Sequence, residues 1–100
     1  MEATIQKSLP EIKTLLQKHE VESAYLFGSA AKETATEQSD VDFLIRFKSG
    51  LDYKTYGDNY FRLLYSLQEL LNKEVDLVAE ETLSNPYFIE SINRSKIQLL

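Results

Sequence analysis

FGSAAKETATEQSDVDF, running from Phe27 to Phe43, sets a Gly-Ser pair, then ten residues, then two aspartates one position apart. In an extended strand residues i and i+2 leave the same face, so Asp40 and Asp42 project one way and Val41 the other. Two carboxylates directed into one place repel each other and are costly unless a cation lies between them. Hard divalent ions such as magnesium take oxygen ligands of this kind and favour sites where a substrate phosphate completes the shell. Gly28-Ser29 has the composition of a tight turn leading into a helix, whose free N–H groups attract phosphate. A phosphate cradle beside a carboxylate pair points to phosphoryl or nucleotidyl transfer.

Working outward, Asp40 to Phe47 reads as a strand with Val41, Phe43, Ile45 and Phe47 on one face and Asp40, Asp42, Leu44 and Arg46 on the other. Val21 to Phe27 reads as a second strand ending at Gly28, and a short helix is expected from Ser29 through Ala30, Ala31, Lys32 and Glu33. Thr34 to Ser39 is polar and loop-like. Upstream, Ser8-Leu9-Pro10-Glu11 has the pattern of a capping box, followed by Ile12, Leu15 and Leu16 on one stripe of a helix ending near His19 or Glu20. Residues 1–7 form at most a short preceding helical turn. Downstream, Ser49-Gly50 breaks the strand. Tyr56, Tyr60, Leu63, Leu67 and Leu70 then recur at helical spacing between Tyr53 and Leu71, with Gly57 weakening the first turns. Asn72-Lys73 ends that helix, Glu74 to Val78 reads as a third strand, and Asn85-Pro86 starts a helix reaching about Asn93. Lys96 to Leu100 fits either a terminal strand or a frayed tail. The order of elements predicts an α/β (α+β) sandwich in one domain, residues 1–100, with helices covering a small mixed sheet.

One hundred residues suffice for one domain with a small core. The net charge of −5 argues against binding a nucleic-acid backbone, which calls for a basic face. No apolar run approaches a membrane span, and MEATIQKSLPEI has no signal-peptide core, so no membrane association is expected. With no cysteine there is no disulfide framework or thiolate metal site, and a reducing cytoplasm is the expected location.

Asp76 lies in the third strand between Val75 and Leu77, so it points away from their face. If that strand lies beside the one carrying Asp40 and Asp42, three carboxylates share one site, and the third could take a proton from an attacking hydroxyl. Periodicity alone does not establish that pairing. Together, Gly28-Ser29, ten residues, Asp40-Val41-Asp42 and the later Val75-Asp76-Leu77-Val78 resemble the minimal nucleotidyltransferase family, of the DNA polymerase β-like superfamily. The likeness extends from about Val21 to Val78. It implies a polymerase β-like nucleotidyltransferase fold. Gly28, Ser29 and Lys32 would bind the nucleotide, and Asp40, Asp42 and Asp76 would hold two Mg2+ ions and form the catalytic triad. The reaction implied is transfer of a nucleoside monophosphate, AMP from ATP or another NMP from its triphosphate, to a hydroxyl, with release of pyrophosphate.

Many relatives carry Ala-Arg-Gly where this chain has Ala31-Lys32-Glu33. Lysine keeps the charge but not the planar two-pronged grip of arginine, and Glu33 adds an anion where phosphate is to bind. With about twenty residues after the triad, the acceptor is expected on a partner protein or a dimer mate. Stand-alone members of the family resemble antitoxins of helical HEPN toxins, which implies adenylylation of a partner tyrosine. The alternatives are a non-catalytic antitoxin that sequesters its partner and, third, an aminoglycoside-type small-molecule transferase. Elsewhere, His19 lies on an apolar helix stripe and is expected to be structural. Tyr56 and Tyr60 are expected to pack in the core, and Arg46 to serve solubility or a partner contact.

Overall fold

A computed structural model describes residues 1–32, 34, 36 and 38–100; expectations placed on Glu33, including its anion in the phosphate helix, lie outside these. The described elements are α1 (Ala3–Lys7), α2 (Leu9–Lys18), β1 (Val21–Phe27), α3 (Ser29–Lys32), β2 (Val41–Phe47), α4 (Tyr53–Leu71), β3 (Val75–Ala79), a 3-10 turn (Glu80–Thr82), α5 (Pro86–Ser95) and β4 (Ile97–Gln98). The four strands form one mixed sheet in the order β3-β2-β1-β4. β1 and β2 run antiparallel with Phe27 opposite Asp42, whereas β2 and β3 run parallel with Asp42 opposite Asp76. Parallel neighbours require a crossover, and α4 supplies it.

The alternation read in β2 divides the two faces. Val41, Phe43, Ile45 and Phe47 join Ala24, Leu26 and Leu77 in the main core, beneath Ile12 and Leu16 of α2 and Leu63, Leu67 and Leu71 of α4. On the opposite face Phe27, Leu44 and Ile92 form a smaller cluster, with Tyr25, Val78 and Leu83 against it. Among the described residues α5 is the α-helix that covers that second face, and its amphipathic stripe is short.

Local chemistry explains most boundaries. Asp52 accepts the Thr55 N–H at 2.7 Å and starts α4; Asn72, at φ 51°, ends it in the left-handed conformation. Asn85 accepts from Tyr87 and Phe88, and Pro86 occupies the first turn of α5. The expected capping box at Ser8 does not form, because Ser8 is also the C-cap of α1 and its backbone is not extended. The side chain that caps is Glu2, which accepts from Thr4 and Ile5 at the start of α1. Asp40 stands just outside β2, which begins at Val41. The C-terminus resolves as a strand: β4 pairs with β1 through Tyr25–Gln98 and Leu26–Ile97.

His19 is 7% exposed, and its Nδ1 lies 2.8 Å from the Leu15 carbonyl, a structural role. Tyr56 and Tyr60 are half-buried against the core; Tyr60 donates to the Leu77 carbonyl at 2.5 Å. Arg46 pairs with Glu80 at 2.6 Å. Among the described residues no helix is long and apolar enough to cross a membrane.

Leu67 is fully buried where α4 meets the sheet. Leu67→Ala is expected to cost about 2–5 kcal/mol of unfolding free energy in urea titration, the range for a cavity that relaxes only in part.

Candidate active site

The acids gather at one end of the second face of the sheet. Asp42 and Asp76 are register partners on adjacent parallel strands, so their side chains leave on the same side. Asp40 precedes β2 by one residue and is exposed, as is Asp76; Asp42 is half-buried. Burial first, then the charges of Asp76 and Asp40, push the Asp42 carboxyl up to about 6. Both neighbours therefore act on Asp42 as like charges. Among the described residues no three metal-type side chains are grouped tightly enough to surround an ion as they stand. What the arrangement supplies is a hard-oxygen donor set on one face, with its central carboxylate already destabilised by negative neighbours, which is chemistry suited to a divalent cation.

Gly28 is required here by two separate constraints. Its φ of +72° lies where side chains are strained, and a Cβ built on it would overlap Oδ2 of Asp42. Glycine thus lets the turn after β1 press against the central carboxylate. Ser29 opens α3, whose four residues are short; the Gly28 carbonyl accepts the Lys32 N–H at 3.2 Å, and the Ser29 carbonyl accepts the Thr34 N–H at 3.1 Å. Lys32 is exposed at the end of α3. Gly28 approaches Asp42, and Asp42 is register partner to Asp76.

One contributor was not read from the sequence. Phe27, opposite Asp42, packs edge-on against Phe88 of α5, with ring centroids 6.1 Å apart. Ile92, four residues on, is buried on Phe27 and Leu44. The signal was the i, i+4 pair Phe88 and Ile92, a stripe too short to say which surface it covers.

A family model described as polymerase beta, nucleotidyltransferase matches residues 10–100. A Methanocaldococcus jannaschii protein named "Putative protein adenylyltransferase" is 35% identical over 99 residues, covering 91% of this chain and 97% of that one. Among solved structures, one described as a "putative minimal nucleotidyltransferase" superposes with TM-score 0.76 at 31% identity, covering 97% of this chain and 95% of the other. The crystal structure of a toxin–antitoxin with AMP-PNP superposes with TM-score 0.73 at 26% identity, covering 92% and 72%.

The raised Asp42 carboxyl makes stability depend on pH. Between its ordinary value of 3.8 and about 6 the folded chain binds more protons than the unfolded one, so stability falls as pH rises through that window and stays lower above it. The shift corresponds to at most about 3 kcal/mol, which solvent screening of a half-exposed group reduces to about 1 kcal/mol. Asp42→Asn should therefore raise the melting temperature of the chelator-treated protein at pH 7.5, and the gain should vanish near pH 4. A melting temperature that does not rise at pH 7.5 would contradict the crowding of these acids. Gly28→Ala should destabilise by at least about 1 kcal/mol in the same melts, since alanine is strained at positive φ.

Proposed function

The chain belongs to the polymerase β-type nucleotidyltransferase family, and on that footing we propose that it is a Mg2+-dependent adenylyltransferase whose acceptor is a tyrosine hydroxyl of a HEPN-type toxin partner. The observation that carries this reading is the register pairing of Asp42 with Asp76 against the Gly28 turn. A minimal set of parts is present in one place: carboxylates suited to a cation, a glycine turn allowing close backbone approach, and a solvent-open face for an acceptor. The likeness to a toxin–antitoxin that contains AMP-PNP supports an adenine-nucleotide donor and a toxin as the partner.

In this reading Asp40, Asp42 and Asp76 would hold the magnesium, which when bound neutralises charge on the donor phosphates and on these carboxylates. Gly28 lets the triphosphate approach the main chain, while Ser29 and Lys32 supply donors to its oxygens. Asp76, exposed beside the pair, is placed to accept the proton of the attacking hydroxyl. The acceptor oxygen attacks the α-phosphorus, pyrophosphate leaves, and AMP stays on the acceptor. Positioning and electrostatics supply the rate, because phosphoryl-type transfer needs little covalent help from the protein.

Incubation with α-phosphate-labelled ATP, magnesium and the product of the neighbouring gene is the direct test. The wild type should label that product by one or more adenylyl groups. Asp42→Asn and Asp40→Asn should each lose transfer while retaining the circular dichroism spectrum of the fold. Undiminished transfer by either variant would exclude the assigned carboxylates, and a complex that forms without any transfer would favour a sequestering antitoxin.

A further inference from the structure

We propose that Tyr87 is itself an adenylyl acceptor, so that the protein carries a self-modification site at the mouth of its own active site. The inference rests on the adenylyl-transfer reading above and extends it to a residue of this chain.

The placement of α5 carries the argument. That helix lies on the same face of the sheet as Asp42 and Asp76, since Ile92 packs on Phe27 and Leu44. Its polarity is set by two contacts: Phe88 meets Phe27 at one end, and Lys96, just past the other end, sits 4.4 Å above the Tyr25 ring. Phe27 is the register partner of Asp42, and such partners stand about 4.5–5.5 Å apart. The first turn of α5 therefore borders the acid end of the sheet, and Tyr87 lies in that turn. Tyr87 is 82% exposed, and its hydroxyl has no partner among the described residues.

The other five tyrosines are disqualified one by one. Tyr56 donates to Glu81, and Tyr60 to the Leu77 carbonyl. Tyr25 is half-buried beneath Lys96. Tyr53 and Tyr65 are exposed but belong to α4, which packs on the opposite face of the sheet. Tyr87 is thus the one tyrosine both free and on the acid-bearing face.

The step balances without any further reactant. The Tyr87 phenolic oxygen bonds to the α-phosphorus of ATP, and the bond from that phosphorus to the bridging oxygen breaks. Pyrophosphate leaves with the electron pair, the phenolic proton passes to a carboxylate of the site, and the tyrosine retains AMP as a phosphodiester.

The purified chain alone, incubated with magnesium and α-labelled ATP and mapped by peptide mass spectrometry, provides the test. Thermal melts with magnesium and AMP-PNP run in parallel to report donor binding. The expected result is one adenylyl group on the peptide containing Tyr87, lost in Tyr87→Phe and in Asp42→Asn, but kept in Tyr53→Phe and Tyr65→Phe. Stabilisation by AMP-PNP with no label, or with label on another residue, would overturn the Tyr87 assignment and leave the transfer reading standing. Neither stabilisation nor label, on this chain or on the neighbouring gene product, would overturn both.

Discussion

The parallel pairing of β2 with β3 is the constraint on which the rest of the molecule depends. Five consecutive pairs, from Val41–Val75 to Ile45–Ala79, lock the register. A one-residue slip of β3 along β2 would turn Leu77 to the outside and Asp76 into the core. The hydrophobic effect therefore fixes the acid geometry indirectly: burying Val41, Phe43, Ile45 and Leu77 under α2 and α4 obliges Asp42 and Asp76 to share the other face. The stability of the core and the position of the carboxylates are two consequences of one ladder.

That arrangement stores unfavourable electrostatics at the site. Asp42 is half-buried beside two like charges, and Gly28 occupies the space that a larger residue would need. A chain selected only for stability would replace the aspartate with a neutral residue and the glycine with one less costly to order. Their presence together is the pattern expected where binding energy from a ligand offsets strain in the protein. The uneven covering of the sheet fits the same view. Among the described residues four helices, α1 to α4, contribute side chains to the core face, whereas α5, held by Phe88 and Ile92, is the helix on the face that carries the acids.

The elements themselves were largely legible from the chain. β1 runs over the predicted residues, and so does α4, whose helical stripe is long enough to be unambiguous. The misreadings were local. Ser8 looked like a capping residue, but an abutting helix had already set its backbone. Asp40 was included in the strand, though the ladder begins one residue later. For α5 the start was evident from Asn85-Pro86, but the stripe of Phe88 and Ile92 gave no indication of the surface it would cover.

By itself the sequence determined which residues share a face within a strand, because a two-residue period is a local property of extended backbone. It also carried the family, through the spacing of Gly28-Ser29, Asp40-Val41-Asp42 and Asp76. The tertiary structure alone decided that β3 lies beside β2 in a register that sets Asp76 against Asp42, and that α5 seats Phe88 on Phe27, the register partner of Asp42. Strand partners and helix seats are chosen by the joint burial of side chains far apart in the chain, and no local pattern encodes that choice.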